Sequence, residues 1–514
     1  MTHATIVPVL LPFTCAIVMI LLGERRLGVQ RVLGLLSCGT LLVIAISAVV
    51  RASSGAIAVY RVGDWPAPFG IVLVIDRLAA LMLLLTAVVA GVSVTAALTA
   101  TPAWDTRGRY FHPLFQLQLM GLNGAFLTGD LFNLFVFFEV LLVASYCLLV
   151  HGRGDERLRA GFHYVVVNLA ASTLFLIAVA LLYGLTGTLN LIHLALRVPQ
   201  VTPADAPLIR AASLVLLVVF ALKAAVFPLS LWLPRAYATA PPPIAALFAI
   251  MTKVGIYAIL RVHGFALGLD SGLAAPAAGP WLLGGAVATA IVGALGAFAA
   301  QSLGMMTAYL TLTSVGTLLI AVGASSGSGL SAALYYLVHS TLVLAGLFLL
   351  TDAMAAQRGH DRFERSRPVA QAAMLGTLFV VGAVSVAGLP PLSGFVGKLT
   401  ILQATAATPA MPVLWSVLLG TGFLAMIALA RAGSALFWKT TGEPAPAVRP
   451  NLARLTPAIA VLGCGAALAL FAAPVLRFTD AAAEQLADRR AYAARILREA
   501  DQPALRPLPP ERRR

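Results

Sequence analysis

The sequence predicts an all-α protein that crosses a lipid bilayer about fourteen times. Of its 514 residues, 60% are hydrophobic and only 11% are charged, and the mean hydropathy is +0.93. A water-soluble domain could not bury so large an apolar fraction. Apolar runs long enough to span a bilayer also follow one another along most of the chain. Together these observations indicate a polytopic membrane protein.

The predicted spanning helices are the apolar runs that can cross a hydrocarbon core of about 30 Å. In chain order they cover residues 5–22, 29–50, 74–100, 113–129, 131–150, 162–184, 209–233, 243–266, 281–301, 303–323, 330–351, 370–405, 411–437 and 453–472. No basic segment precedes the first run, which indicates a retained helix and not a cleaved signal peptide.

We divide the chain by grouping these runs. The expected sections are an N-terminal group of three helices (1–112), a first five-helix repeat (113–270), a second five-helix repeat (271–440), a fourteenth helix (441–480) and a polar C-terminal tail (481–514). Because five is odd, the second repeat enters the membrane from the opposite face, so the repeats are inverted.

The net charge of +15 reports on topology and does not indicate nucleic-acid binding, because basic residues in a membrane protein mark cytoplasmic loops. Arginines gather after the odd-numbered runs, which places those loops in the cytoplasm and the N-terminus outside. The opposite loops hold fewer, Arg261 among them. The tail would then be outside despite its arginines, unless the helix count is off by one. We favour a solvated tail over a surface helix that docks on a partner, with disorder from Pro503 onward.

Two predicted helices contain breakers at mid-depth. Pro228 cannot donate to the carbonyl of Ala224, and Pro390 and Pro391 release the carbonyls of Val386 and Ala387. Broken backbone is tolerated inside a membrane only where protein or a hydrated cavity satisfies it. An ordinary proline kink is the alternative for either break alone. The breaks fall in the fourth helix of each repeat, which is the seventh and the twelfth of the chain.

Ionisable residues inside the predicted spans are the candidate functional groups. Glu139 lies about 12 Å along its helix, near the middle of the membrane. A charge at that depth costs about 2.5 to 3.5 kcal/mol and suggests a function with a nearby partner. The other candidates are Lys223, Lys253, His339 and Lys398.

The lysines are informative because lysine supplies only four of the 35 basic residues, and three of the four lie in apolar runs. A buried lysine can release its proton, whereas arginine cannot. We expect Glu139 to pair with Lys223 and tune its proton affinity, and His339 to relay protons between sites. The alternatives are a snorkelling lysine and a hydrogen-bonded core histidine.

No cofactor or metal site is expected. The four cysteines lie singly in apolar segments and lack the paired spacing of iron–sulfur, haem or zinc sites.

Three segments closely resemble the D subunit of Mrp-type (Pha-type) multisubunit monovalent cation/proton antiporters. They are QLQLMGLNGAFLTGDLFNLFVFFEVLLVASY, ALKAAVFPLSLWLPRAYATAPPPIAALFAIMTKVGIYAILR and GLPPLSGFVGK. The resemblance covers nearly the whole chain and extends to the antiporter-like subunits of respiratory complex I. It implies fourteen helices, inverted repeats, and a proton path through Glu139, Lys223, Lys253, His339 and Lys398. Gly304, Met305 and Met306 depart from the family, whose members usually carry a basic residue there.

The expected function is therefore proton translocation within a multisubunit Na⁺(K⁺)/H⁺ antiporter of the bacterial inner membrane, with other antiporter subunits as partners and no enzymatic activity of its own. The alternatives are a proton-pumping subunit of a complex I-type oxidoreductase or membrane-bound hydrogenase, and a carrier for an organic solute. The choice between sodium and potassium stays open, as does whether the cation passes through this subunit.

Overall fold

The chain forms a bundle of membrane-spanning helices in the computed structural model. The structure describes residues 3–65, 69–152, 154–267, 278–323, 327–441 and 452–499. In the first half, the helices are α1 Val7–Leu22, α2 Leu27–Ser53, α3 Arg77–Thr99, α4 Phe111–Leu127, α5 Leu131–Leu149, α6 Asp155–Thr186, α7 Leu191–Arg197, α8 Ala206–Lys223, α9 Trp232–Thr239, α10 Pro242–Phe248 and α11 Met251–Ile259. A wider helical turn, Leu260–Ala266, continues α11.

The second half contains further long apolar helices and ends in two more polar ones. Its helices are α12 Ala278–Ala299, α13 Leu303–Gly323, α14 Gly327–Arg358, α15 Ala372–Ala387, α16 Ser393–Thr405, α17 Met411–Gly433, α18 Leu452–Leu470, α19 Ala472–Ala487 and α20 Arg489–Glu499. A hairpin of two antiparallel strands, β1 Ala58–Arg61 and β2 Val72–Ile75, joins α2 to α3.

Within the described ranges, eleven helices are long and apolar enough to cross a membrane, and α1 and α15 are shorter apolar helices. The helical membrane fold expected from composition is therefore confirmed. The count of fourteen spans and the division into inverted repeats stay predictions.

Both predicted helix breaks are present as discontinuities. Helix seven is split into α8 and α9, and Pro228 lies in the link between them. Helix twelve is split into α15 and α16, and Pro390 and Pro391 lie in that link. Neither link can continue an α-helix, because proline removes an amide donor and clashes with the preceding turn.

The loops gather on two opposite faces. On one face, Arg31 pairs with Asp105 at 2.7 Å, and Arg454 pairs with Asp352 at 2.8 Å. We call it the arginine-rich face, and the positive-inside rule assigns it to the cytoplasm. The other face, which we call the hairpin face, carries β1, β2 and the short helix α7. Asn190, the residue just before α7, pairs with Asp130 through an isolated β-bridge.

The solvated tail predicted for the C-terminal segment is wrong for its described part. Helix α20 docks on the hairpin face with Tyr492, Ala493 and Ile496 buried, and Arg489 donates to the carbonyls of Ala195 and Ala266. The many charges of the segment concealed an apolar stripe at helical spacing, which is buried on the chain's own surface. The predicted disorder from Pro503 onward lies outside the described residues.

Candidate proton-transfer site

Glu139 lies half-buried in the middle of α5, where its carboxylate accepts a short hydrogen bond from the hydroxyl of Ser172 on α6. The same hydroxyl oxygen lies 3.0 Å from the backbone oxygen of Asn168, one turn earlier. The acid therefore has a polar partner in an otherwise apolar helix, as an intramembrane carboxylate requires.

Lys223 is the last residue of α8, immediately before the break in helix seven, and it is buried. Its Nζ donates to the side-chain oxygen of Asn168 at 3.1 Å. The ammonium also lies 6.0 Å from the ring centroid of Phe138, the neighbour of Glu139 in the chain. Asn168 thus connects Lys223 to α6, the helix whose Ser172 also contacts Glu139.

The predicted direct pair between Glu139 and Lys223 is not present. No ion pair within 4.0 Å joins these two described residues. The polar side chains of α6 lie between them, and Asn168 and Ser172 take up the bonds that the two charges would otherwise make to each other. The charge of Glu139 still acts on Lys223 through space.

Lys253 is fully buried on α11 and donates from Nζ to the hydroxyl of Ser314 on α13 at 3.4 Å. Its helix packs directly against the break after α8. A side chain at Gly255 would place its Cβ 2.5 Å from the backbone nitrogen of Ala224. Glycine at this position therefore permits the close approach that brings the helix of Lys253 next to Lys223.

His339 on α14 faces the second break. Its Nδ1 lies 2.9 Å from the hydroxyl of Ser393, the first residue of α16, and its ring lies 5.4 Å from that of Tyr336. A histidine can accept a proton from one group and pass it to another.

Lys398 is held by the break in helix twelve. Its Nζ donates to the carbonyl of Val386 at 3.0 Å and to that of Ala387 at 2.8 Å. These are the carbonyls expected to be released by Pro390 and Pro391. A cation at the C-terminal end of α15 also complements the helix dipole.

The break in helix seven satisfies its backbone differently. The amide of Phe227 donates to the Thr289 hydroxyl at 2.8 Å, and the indole of Trp232 donates to the carbonyl of Leu222 at 3.1 Å. Ala225, with a φ of 59°, turns the chain between the two helical parts.

The five predicted residues thus lie on five different helices, and in the described structure they form no direct hydrogen bonds with one another. Each contacts a polar group of a neighbouring helix or of a helix break. Sequence reasoning missed the intermediate groups Ser172, Ser314 and Ser393, because single hydroxyl residues are common in membrane helices and give no distinctive pattern. The sequence indicates Asn168 only weakly, together with His163 on the same helix, as a residue that could line the path; the structure places Asn168 at Lys223 and leaves His163 exposed.

A second polar region lies on the arginine-rich face, where the ends of several helices enclose a cavity of about 920 Å³. Trp104 forms part of its wall, donates from its indole nitrogen to Asp352 at 2.9 Å, and is covered by the guanidinium of Arg107 at 3.7 Å from the ring centroid. Among the described residues, no group of three or more His, Cys, Asp or Glu side chains is placed to hold a metal ion.

Beside this cavity, the buried Asp105 is held by an arginine and a histidine on other helices. Arg31 donates to both carboxylate oxygens at 2.7 and 3.0 Å, and the His112 ring lies 3.0 Å away. Burial alone would raise the pKa of the Asp105 carboxyl, but its bonds to His112 and Arg31 outweigh that effect and lower the pKa to about 2. The carboxylate therefore stays charged in the folded protein.

Comparison with known proteins places this arrangement in a family. Residues 128–425 match a family model described as NADH:quinone oxidoreductase/Mrp antiporter, transmembrane. The chain is 42% identical to the D subunit of a probable K⁺/H⁺ antiporter from Rhizobium meliloti, over 96% of this chain and 97% of the relative. It is 34% identical to the D subunit of an Na⁺/H⁺ antiporter from Alkalihalophilus pseudofirmus, over 97% and 100% of the two chains.

A solved structure agrees with the sequence relatives. A chain of the Mrp complex from Dietzia sp. DQ12-45-1b superposes with a TM-score of 0.87 at 29% identity, with 97% of this chain and all of that chain covered. The fold and the full-length sequence similarity therefore agree: the chain belongs to the family of D subunits of Mrp-type cation/proton antiporters.

Proposed function

We propose that this chain is the proton-conducting subunit of a monovalent cation/proton antiporter in the bacterial inner membrane, working as part of a multisubunit complex. The observation that carries the proposal is the set of buried and half-buried ionisable residues, each on its own helix and each bonded to a polar group of a neighbouring helix or helix break. Groups arranged in this way can change protonation state one after another without exposing charge to lipid.

The proposed path begins at the first break. Glu139 attracts the ammonium of Lys223 across α6, and Asn168 accepts one of its hydrogen bonds. When Glu139 is protonated, that attraction is lost and Lys223 releases a proton more readily. Lys253, on the helix packed against the break, is the next acceptor.

From Lys253 the path continues to the second break. His339 receives the proton and transfers it toward Lys398, whose ammonium is bound to the carbonyls of Val386 and Ala387. The two carbonyls bind the charged amine more strongly than the neutral amine, which favours reprotonation of a neutral Lys398. The membrane potential is sufficient to drive this cycle, since one charge crossing 100 mV releases about 2.3 kcal/mol.

The decisive experiment measures cation-dependent proton exchange in vesicles that contain the whole complex. We expect Glu139→Gln, which keeps shape and hydrogen bonding but removes the charge, to reduce exchange about tenfold or more, equivalent to a barrier raised by about 1.4 kcal/mol. Lys223→Ala should abolish exchange. Full exchange in either variant would refute the proposed path.

Asp130→Asn is the matched control for Glu139→Gln. Asp130 is a buried carboxylate at the start of the same helix, where it accepts from the amide of Asn133 at 2.9 Å and caps α5. Asparagine caps a helix as well as aspartate does. This variant should assemble normally and keep its exchange activity, which separates loss of a pathway charge from loss of any carboxylate in α5.

A proton pump driven by redox chemistry is the second candidate, because the matching family model includes quinone oxidoreductases as well as Mrp antiporters. The two functions predict different partners. An antiporter complex contains other membrane subunits, whereas a redox complex contains flavin or iron–sulfur subunits. Purification of the native complex followed by an absorption spectrum distinguishes them, and an exchange assay with Na⁺ and K⁺ in parallel identifies the cation.

A further inference from the structure

A second line of polar residues runs from Lys253 toward the hairpin face. Lys253, Tyr257 and Arg261 are spaced four residues apart on α11 and the turn that continues it, so they lie along one side of the helix. At the rise of an α-helix, Arg261 lies about 12 Å from Lys253 toward the hairpin face. Arg261 counts among the loop arginines although it falls near the end of the predicted span 243–266, and in the structure its side chain is buried.

Arg261 is fixed by three partners. Its terminal nitrogens bond to Asp76 at 2.5 Å and to the hydroxyl of Tyr492 at 3.1 Å, and its Nε donates to the hydroxyl of Tyr257 at 2.9 Å. Tyr492 in turn donates to the second oxygen of Asp76 at 2.8 Å. The guanidinium therefore lies between Tyr257, on the side of Lys253, and the carboxylate at the hairpin face.

This line differs chemically from the proposed proton path. A relay group must accept a proton on one side and donate one on the other, as histidine, lysine and hydroxyl groups can. Arginine has five N–H donors, no acceptor, and a pKa too high for deprotonation in a protein. A hydrogen-bonded chain that reaches Arg261 from the hairpin face therefore ends there.

The small cavity beside Arg261 and the charge of its guanidinium also oppose the passage of protons. The cavity beside Arg261, lined also by Thr128, Tyr257 and Tyr492, holds about 20 Å³, which is room for a single water molecule. Tyr257 donates its own proton to the carbonyl of Phe126 at 2.6 Å and accepts from Arg261. A water in this cavity faces a permanent positive charge, which repels hydronium.

We infer that Arg261, held in place by Asp76 and Tyr492, is an insulating residue that prevents protons from passing directly between Lys253 and the hairpin face. Protons on Lys253 must then leave through His339 and Lys398. The inference rests on the proposed role of Lys253 as a proton site, and it adds a reason why the path crosses from the first break to the second.

The test compares two changes at Arg261 in vesicles containing the whole complex. The double variant Arg261→Gln/Asp76→Asn removes both charges together, so neither remains buried alone, and it introduces amides that can donate and accept. The variant Arg261→Lys keeps the positive charge next to Asp76. The readout is the collapse of an imposed pH gradient in the absence of Na⁺ and K⁺, with assembly checked by the yield of purified complex.

We expect the double variant to dissipate the gradient about tenfold faster than the unmodified complex, equivalent to a barrier lowered by about 1.4 kcal/mol. The Arg261→Lys variant should dissipate the pH gradient no faster than the unmodified complex. An assembled double variant without a leak would overturn the inference, and so would an Arg261→Lys variant that leaks equally, because the cause would then be disturbed packing.

Adding Lys253→Met separates this inference from the proposed function. In the double variant, Lys253→Met should suppress the leak, and a leak that persists would show that Arg261 does not insulate Lys253. Normal cation-dependent exchange in the single variant Lys253→Met would instead refute the proposed path itself. Failure of the insulating role of Arg261 and failure of the proposed proton path therefore give different experimental results.

Discussion

Asn168 binds Lys223 through its amide oxygen, and its backbone oxygen lies next to Ser172, the partner of Glu139. In the proposed path, Asn168 is therefore the residue of α6 that acts on Lys223. A change in its side chain alters the environment of the lysine without altering the number of charges in the membrane.

We therefore predict that Asn168→Leu reduces cation-dependent exchange by about tenfold or more, because a buried ammonium loses a hydrogen bond worth about 1.5 to 3 kcal/mol. Exchange in vesicles measures this effect. The control is His163→Leu on the same helix, where the side chain is exposed and exchange should be unchanged. Equal activities of the two variants would remove Asn168 from the path.

A second prediction at this scale concerns stability. Asp105→Asn should lower the unfolding free energy by about 1 to 3 kcal/mol, because it weakens the bonds made by Arg31 and His112. The folded-state pKa of Asp105 is depressed from 3.8 to about 2, so its contribution is complete above about pH 4 and is lost as the pH falls toward 2.

Thermal unfolding of the purified complex between pH 7 and pH 3 tests that prediction. The unmodified protein should exceed the variant in melting temperature at pH 7, and the gap should narrow at the acidic end. A constant gap across this range would mean that the carboxylate charge is not its cause.

The individual residues show where sequence reasoning succeeds and where it fails. The position of Lys398 was predictable, because proline removes specific hydrogen bonds and a nearby lysine can satisfy the carbonyls that are released. The absence of a direct pair between Glu139 and Lys223 was not predictable, because it depends on how three helices pack. A hydrophobicity pattern indicates that a helix is buried but does not determine which side chains lie between two others.

At the scale of elements, the discontinuous helices depend on close packing by neighbours. Gly255 is the clearest case, because any side chain there would collide with the backbone at Ala224. The break after α8 was predictable from Pro228, but the helix that packs against it was not, since a single glycine in a membrane helix is ordinary.

We predict that Gly255→Ala lowers exchange activity severalfold by pushing α11 away from Lys223 and by destabilising the complex by about 1 to 3 kcal/mol. Gly264→Ala is a matched control further along the same helical segment, because an added Cβ there meets no atom within 4 Å. Exchange and yield of the complex are measured for both. Identical behaviour would show that the break tolerates displacement of α11.

The docked C-terminal helix is the element that composition described least well. Its charges suggested a solvated segment, yet Tyr492 and Ile496 are buried against the rest of the chain. Charge counts average over a helix, whereas docking depends on the few apolar positions that share one face.

At the scale of the whole molecule, the arginine-rich face and the hairpin face define an orientation in the membrane. We predict that a cysteine introduced at the exposed Arg490 reacts with a membrane-impermeant maleimide added outside intact cells, whereas one introduced at the exposed Arg109 reacts only after the membrane is permeabilised. Labelling of the unmodified chain gives the background from the four native cysteines. The reverse labelling pattern would show that the arginine-rich face lies outside and the hairpin face in the cytoplasm.

The ion pair at Arg261 also joins distant parts of the chain. Tyr492 lies 416 residues after its partner Asp76. During synthesis, the first helices are therefore inserted in the membrane long before the last contact to Asp76 can form. The contacts that hold Arg261 and Asp76 in place are therefore complete only when the final described helix has been made and docked.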